Sequence, residues 1–203
     1  MAHEIGIFAL ETVLSPGELL PLHVFEERYK ALIGECLEKD GSFLVLYTDE
    51  AGTRELGCTA SVVEVIERFE DGRMNIVVEG AELVQVVELT RGRPYTTALV
   101  EPVADDPEAG EERDAAVSMY RRFAAAAGLE AEDDIEAEEG PLSYAIMARV
   151  DFPAAEKQGV IEMRTERERL MALVELLARG MQALQRVEEI RKRAQTNGKV
   201  PHD

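Results

Sequence analysis

A chain of 203 residues with 46% hydrophobic side chains is long enough to bury a core in one large or two small domains. Its 41 Asp and Glu outnumber 22 Lys and Arg to give a formal net charge of −19, which disfavours nucleic acids and anionic membrane surfaces as partners, because clustered cations hold both. The amino terminus carries His3 and Glu4 where a leader needs a basic and then an apolar stretch, and no apolar run is long enough to span a bilayer, so the expectation is a soluble, cytoplasmic protein.

In chain order, residues 4–10 are the first predicted strand. The stretch Pro16-Gly17-Glu18-Leu19-Leu20-Pro21-Leu22-His23-Val24-Phe25-Glu26-Glu27-Arg28-Tyr29 then joins a turn, a strand and a helix start. Pro-Gly fixes one φ and relaxes the next, residues 19–22 read as a short buried strand, and Phe25, Tyr29, Leu32, Ile33, Cys36 and Leu37 recur at helical spacing. Phe25 is expected to anchor this helix on the sheet. Strands follow at 42–47 and 56–69, with turn residues 49–53 between them. Asp71-Gly72 is the strongest hairpin signal, because Met74, Ile76 and Val78 alternate with Asn75 and Glu79 just after it. Residues 83–89 and 95–102 repeat the pattern across Arg91-Gly92-Arg93-Pro94, which predicts about six antiparallel strands with one inserted helix, closed into a barrel-like sheet.

After Pro102 the pattern turns helical. Residues 115–127 are alanine-rich with Met119, Tyr120 and Phe123 on one side, 141–150 carry Leu142, Ile146 and Met147, and Pro153 opens a short helix. Thr165 with Glu168 forms a capping box, and Leu170, Val174, Leu177, Met181, Leu184 and Val187 continue as a long final helix ended by Asn197-Gly198. Gly180 within it costs about 1 kcal/mol relative to Ala, which suggests close approach by another helix. The acidic runs 105–114 and 130–139 read as solvated loops. The fold class is therefore α+β, with a β lobe at 1–103, a helical lobe at 112–195 and a flexible tail at 196–203.

Candidate chemistry is sparse. Cys36 and Cys58 offer neither a disulfide framework nor a C-x-x-C zinc site, and His3, His23 and His202 are scattered, so no metal or cofactor site is expected. A thiol hydrolase would need Cys36 or Cys58 within reach of His23 as base. Glu26 and Glu27 complement a helix dipole, which explains them without acid or base work.

Pro16, Gly17, Pro21, Leu22, His23, Phe25, Glu26, Arg28 and Tyr29, together with Gly57-Cys58-Thr59-Ala60, Asp71-Gly72-Arg73, Gly80, Tyr95, Leu142-Ser143-Tyr144-Ala145, Glu156-Lys157-Gln158 and Arg167-Glu168-Arg169-Leu170, resemble the Lon protease N-terminal, substrate-binding domain family in order and over nearly the whole chain. The resemblance implies a PUA-like pseudo-barrel followed by a helical bundle, with a role in substrate or partner recognition for proteolysis; cereblon is a ligase-associated relative. It implies no chemistry, and the motif residues serve mainly the fold. One departure is Leu83, where family members usually carry a basic residue three positions after the glycine. A full Lon protease also needs an ATPase with a G-x-x-x-x-G-K-[ST] loop and a Ser-Lys domain; no such loop occurs here, and the expectation is a standalone, non-catalytic module. It would bind unfolded polypeptides, a protease or another partner protein, as an adaptor or regulator, with an acidic nucleic-acid mimic as an alternative. Phe152 and Pro153, expected where the two lobes meet, are candidate partner contacts.

Overall fold

Period-two alternation over the first hundred residues becomes seven strands: β1 (His3–Leu10), β2 (Leu19–Val24), β3 (Ser42–Asp49), β4 (Gly52–Thr53), β5 (Leu56–Arg68), β6 (Met74–Thr90) and β7 (Thr97–Pro102). Five helices accompany them: α1 (Glu27–Lys39), α2 (Glu112–Ala127), α3 (Leu142–Arg149), α4 (Ala154–Ile161) and α5 (Glu166–Asn197). This computed structural model describes residues 2–104, 106–129, 135 and 140–197. The acidic run 130–139, apart from Ile135, and the expected end at Gly198 with its tail lie outside the described residues.

Two compact units divide the chain, one of Met1–Asp106 with Tyr144–Arg164 and the other of Pro107–Ser143 with Thr165–Asp203. The expected helical lobe at 112–195 is corrected by this division, since 144–164 belong with the strands. Contacts within the first unit show why: the Gln158 amide donates to the Leu56 carbonyl at 3.1 Å, and Lys157 pairs with Glu18.

In the first unit the pairings β1–β7–β6–β5–β3 return to β1 and close a circuit, while β2 adds to β6 and β4 to β3. The expected six antiparallel strands become seven with one parallel pairing, β1 with β3, in register Ile7 to Leu44. A parallel pair needs a long crossover, and β2 with α1 supplies it. Residues 74–79 and 83–89, expected as separate strands, form the single strand β6. Gly80 sits in its middle because the Ser15 carbonyl oxygen would lie 2.2 Å from any Cβ there; Gly80 instead donates its N–H to Glu18 and accepts one from Gly17.

Alternate residues of the strands fill two clusters. Ile5, Ile7, Leu44, Leu46, Val84, Ala98 and Val100 form one. The other joins Phe8, Phe43, Val45, Cys58, Ile76 and Val78 to Tyr29, Leu32, Ile33 and Cys36 of α1, with Phe8 stacked on Tyr29 at 3.9 Å between ring centroids. Burying Leu32 and Ile33 contributes about 1.5–3 kcal/mol each and seats α1 on the sheet. Phe25 does not share this role: it precedes α1 and is 60% exposed, which corrects the expected anchor. Tyr29, one turn later, takes the place on the sheet.

The second unit centres on α2 and α5. Glu112 at the start of α2 pairs with Arg167 at the start of α5 at 2.8 Å, and Phe123 further along α2 would meet a Cβ at Gly180 at 2.8 Å, so the two helices run parallel. Gly180 thus serves the close approach expected of it. Thr165 caps α5 by accepting the Glu168 N–H at 3.2 Å, while its hydroxyl donates to the Glu168 carboxylate at 2.9 Å in place of the reciprocal bond of a capping box.

Candidate functional site

Beyond Ser61, β5 leaves β3 and pairs only with β6, whose opposite edge carries β2, so the three strands extend as an antiparallel ribbon. Register aligns Leu19, Glu79 and Ser61 in one row, Pro21, Val77 and Glu64 in the next, and His23, Asn75 and Glu67 in a third. Pro21 fits a strand with one ladder neighbour, because it has no N–H to donate on the open side. The expected burial of β2 is therefore half right: Leu22 turns inward while Leu19 is 61% exposed.

Two register shifts in β5, between Val62 and Glu64 and between Val65 and Glu67, leave Val63 and Ile66 as extra residues, both exposed. A bulge re-aims the side chain it inserts. The sequence signal is Val62-Val63-Glu64-Val65-Ile66-Glu67, two apolar pairs each followed by Glu, which no strict alternation accommodates. Leu19 of β2 and Phe25 just after it are exposed as well, on a ribbon that also carries the exposed Glu64, Glu67 and Glu79.

His23 organises the turn end of this ribbon. Its Nδ1 lies 2.7 Å from the Asn75 side-chain oxygen, and Asn75 in turn donates to Glu67 at 3.2 Å, so the proton is assigned to Nδ1. The His23 ring stacks against Phe25 at 5.8 Å and meets Phe69 edge-on at 6.2 Å, while the Arg73 guanidinium sits 5.0 Å from the Phe69 ring. Asp71 holds this arrangement through Arg73, whose backbone N–H is the first cause of a carboxyl kept below its usual range. Lys30 of α1 donates to the Asp71 carbonyl at 3.0 Å and fixes the turn against the helix. The motif residues His23, Phe25, Asp71, Gly72 and Arg73 are thus gathered at one end of the ribbon.

Polar networks elsewhere keep the scaffold in place. Glu35 of α1 accepts from Lys39, Tyr95 and Arg93, which holds its carboxyl at about 2 and ties the loop before β7 to the helix. Arg28 pairs with Glu26 at 2.8 Å, which accounts for Glu26 without any catalytic role. Phe152 is partly exposed and Pro153 exposed, in the segment entering α4.

The structure separates the groups that a thiol enzyme needs together. His23 bonds Asn75 on the exposed ribbon, whereas Cys58 is buried and donates to its neighbouring Thr59 carbonyl. Burial pushes the thiol of Cys36 up to about 11 and that of Cys58 up to about 12. Both therefore stay protonated at neutral pH, and at pH 8 iodoacetamide is expected to alkylate each at least about tenfold more slowly in the native protein than in the urea-unfolded chain. Mass spectrometry of the labelled peptides measures this; a cysteine labelled at the unfolded rate would reopen thiol chemistry. Among the described residues no group of three or more His, Cys, Asp or Glu side chains is placed to hold a metal ion, and no helix is long and apolar enough to cross a membrane.

The sequence model of the ATP-dependent protease La (LON) substrate-binding domain matches residues 4–179. Similar proteins include a Lon protease of Chloroherpeton thalassium, 29% identical over 92% of this chain and 24% of its own length, and Lon protease 2 of Myxococcus xanthus, 28% identical over 85% of this chain and 23% of its own. The chain thus spans about a quarter of the length of these relatives. Among solved structures, the N-terminal domain of a Mycobacterium avium complex Lon protease superposes with a TM-score of 0.67 at 19% identity, covering 87% of this chain and 98% of that one. A Lon N-terminal domain protein from Xanthomonas campestris gives 0.63 at 20% identity over 85% of this chain and 98% of its own.

Proposed function

The chain belongs to the LON substrate-binding domain family, and from that membership we propose that it recognises unfolded polypeptide on the β2–β6–β5 ribbon, without catalysing a reaction. The observation that carries this reading is the exposure of Leu19 on β2, Phe25 just after it, and Val63 and Ile66 on β5, the two strands that flank β6, in a chain with a net charge of −19. Apolar surface bordered by carboxylates suits segments that are both hydrophobic and basic, and charge then governs the encounter rate more than the final affinity. The open edges of β2 and β5 offer main-chain hydrogen bonds to an extended segment, a mode in which side-chain pockets and not backbone set specificity. Phe152 and Pro153 are proposed as flanking contacts. An adaptor or regulator role linked to proteolysis follows from the same reading, with the protease or another protein as partner.

The test is binding of a permanently unfolded basic chain, its folded form and an unfolded acidic chain, measured by surface plasmon resonance at two ionic strengths. The unfolded basic chain is expected to bind and to associate more slowly at high salt. The triple variant Leu19→Ser, Phe25→Ala, Ile66→Ser is expected to weaken that binding by about 30-fold, as loss of an aromatic hot spot does. Phe25→Ala alone is expected to change folding stability by less than about 1 kcal/mol, because the side chain it removes is largely solvated. Equal binding of folded and unfolded forms, or a triple variant that binds like the parent, would turn the reading toward a specific folded partner.

A further inference from the structure

A cavity of about 320 Å³ in the sheet unit continues from the buried cluster of Ile7 and Leu46 past Val86 and Leu89 to solvent. Arg28 and Arg54 stand in its lining above these apolar walls. We propose that it binds an apolar group that ends in a carboxylate, the chemistry of a polypeptide's C-terminal residue with an aliphatic or aromatic side chain.

Three observations carry this. First, both guanidiniums keep unused donors: Glu26 takes only the Nε of Arg28 at 2.8 Å, and Asp49 takes only Nη2 of Arg54 at 2.7 Å. Among the described residues both Nη atoms of Arg28, an end-on fork that suits a carboxylate, and the Nε and Nη1 of Arg54, two single donors on different sides of its guanidinium, have no partner. Second, the guanidiniums are held in place, Arg28 by lying 4.4 Å from the Tyr29 ring centroid and Arg54 by lying 5.6 Å from that of Tyr47. Third, size and charge select the ligand. Glu55 also lines the cavity, and Glu26 and Asp49 pair with the two arginines, so two guanidiniums against three carboxylates leave a balance of −1, which disfavours a phosphate dianion more strongly than a monoanion. The volume is at the low end of ligand cavities, roughly 300–1,000 Å³, and admits one large side chain but no folded segment.

Only the choice of a peptide as the source rests on the polypeptide-binding reading; a free medium-chain carboxylic acid presents the same chemistry. The experiment titrates the full chain, followed by amide NMR shifts, with N-acetyl-Ala-Ala-Leu as the free acid, the same peptide amidated, octanoate and acetate. The free acid is expected to shift the amides of Ile7, Ala9, Arg54 and Thr96. The amidated peptide is expected to bind at least about tenfold more weakly, since charge-assisted hydrogen bonds are lost. Arg54→Gln and Arg28→Gln, each at a partly exposed side chain, are expected to abolish that preference while the rest of the spectrum is retained. Octanoate binding without the peptide acid would keep the cavity's chemistry and make the free acid its source. Acetate binding as well as either, equal affinity for acid and amide, or no shift at the cavity would overturn the proposal. The ribbon variant Leu19→Ser, Phe25→Ala, Ile66→Ser is expected to bind the peptide acid normally, so failure of the ribbon and failure of the cavity are read separately.

Discussion

Replacing Lys157 by Ala is expected to destabilise the sheet unit by about 3–5 kcal/mol, the usual consequence of leaving a buried charge without its partner. The Lys157 side chain is 7% exposed and that of Glu18 is 15% exposed, with the ammonium 2.5 Å from the carboxylate. Glu18 is also fixed by the Ser15 backbone N–H and hydroxyl, both donating at 2.8 Å, which hold its carboxylate in place when Lys157 is lost. A double variant, Glu18→Gln with Lys157→Met, removes both charges and is expected to recover most of the loss. Chemical denaturation of the two single variants and the double one measures the coupling. A Lys157→Ala loss below about 1 kcal/mol would mean that water reaches the pair. Total stability of about 5–15 kcal/mol makes the expected change large enough to unfold a marginal protein.

The second large effect belongs to the helical unit. Arg169→Ala is expected to cost about 3–5 kcal/mol there, because Arg169 and Glu166 have side chains that are each 1% exposed and meet at 3.0 Å. Ser143 lies between them: its N–H and hydroxyl donate to the Glu166 carboxylate, and its oxygen accepts from Arg169 Nε at 3.0 Å. A network in which every member serves two others makes the removal of one felt by all. Thermal unfolding followed by circular dichroism, with hydrogen exchange of α2 and α5 amides, locates the loss. Exchange that rises in the strands but not in α2 and α5 would place the role of Arg169 elsewhere.

Both predictions rest on pairs of motifs far apart in the sequence. Pro16-Gly17-Glu18 meets Glu156-Lys157-Gln158 through the Glu18 pair, and Leu142-Ser143 meets Arg167-Glu168-Arg169 through the buried serine. The order of these motifs was readable as a family resemblance. That they exist as two halves of buried polar networks was not, because a charge in a sequence carries no sign of whether water will reach it.

The candidate site was legible only in outline. His23, Asp71, Gly72 and Arg73 stood out, and the hairpin at Asp71-Gly72 is where alternation placed it, closed by a Phe69 N–H bond to the Arg73 carbonyl at 2.9 Å. Phe25 misled, since helical spacing with Tyr29 made it one of the core set. The chain is still extended at Glu26, with ψ 137°, and α1 begins after it, so Phe25 never joins the helical face. The exposed residues Val63 and Ile66 were hidden for a different reason. Apolar residues in a strand read as core until a bulge shifts the register, and pairing with β6 decides where it shifts.

What the sequence determined by itself is local: alternation for the strands, helical spacing for α1 to α5, the Thr165 cap and the demand of Gly180 for a close neighbour. These depend on interactions within a few residues, whose geometry the backbone imposes wherever the segment lies. Tertiary structure alone decided that β1 pairs in parallel with β3, that β6 runs unbroken through Gly80, that 144–164 join the strands and that an apolar ribbon faces solvent. Each of these depends on which distant segment comes alongside, and burial is a property of that meeting, not of either segment.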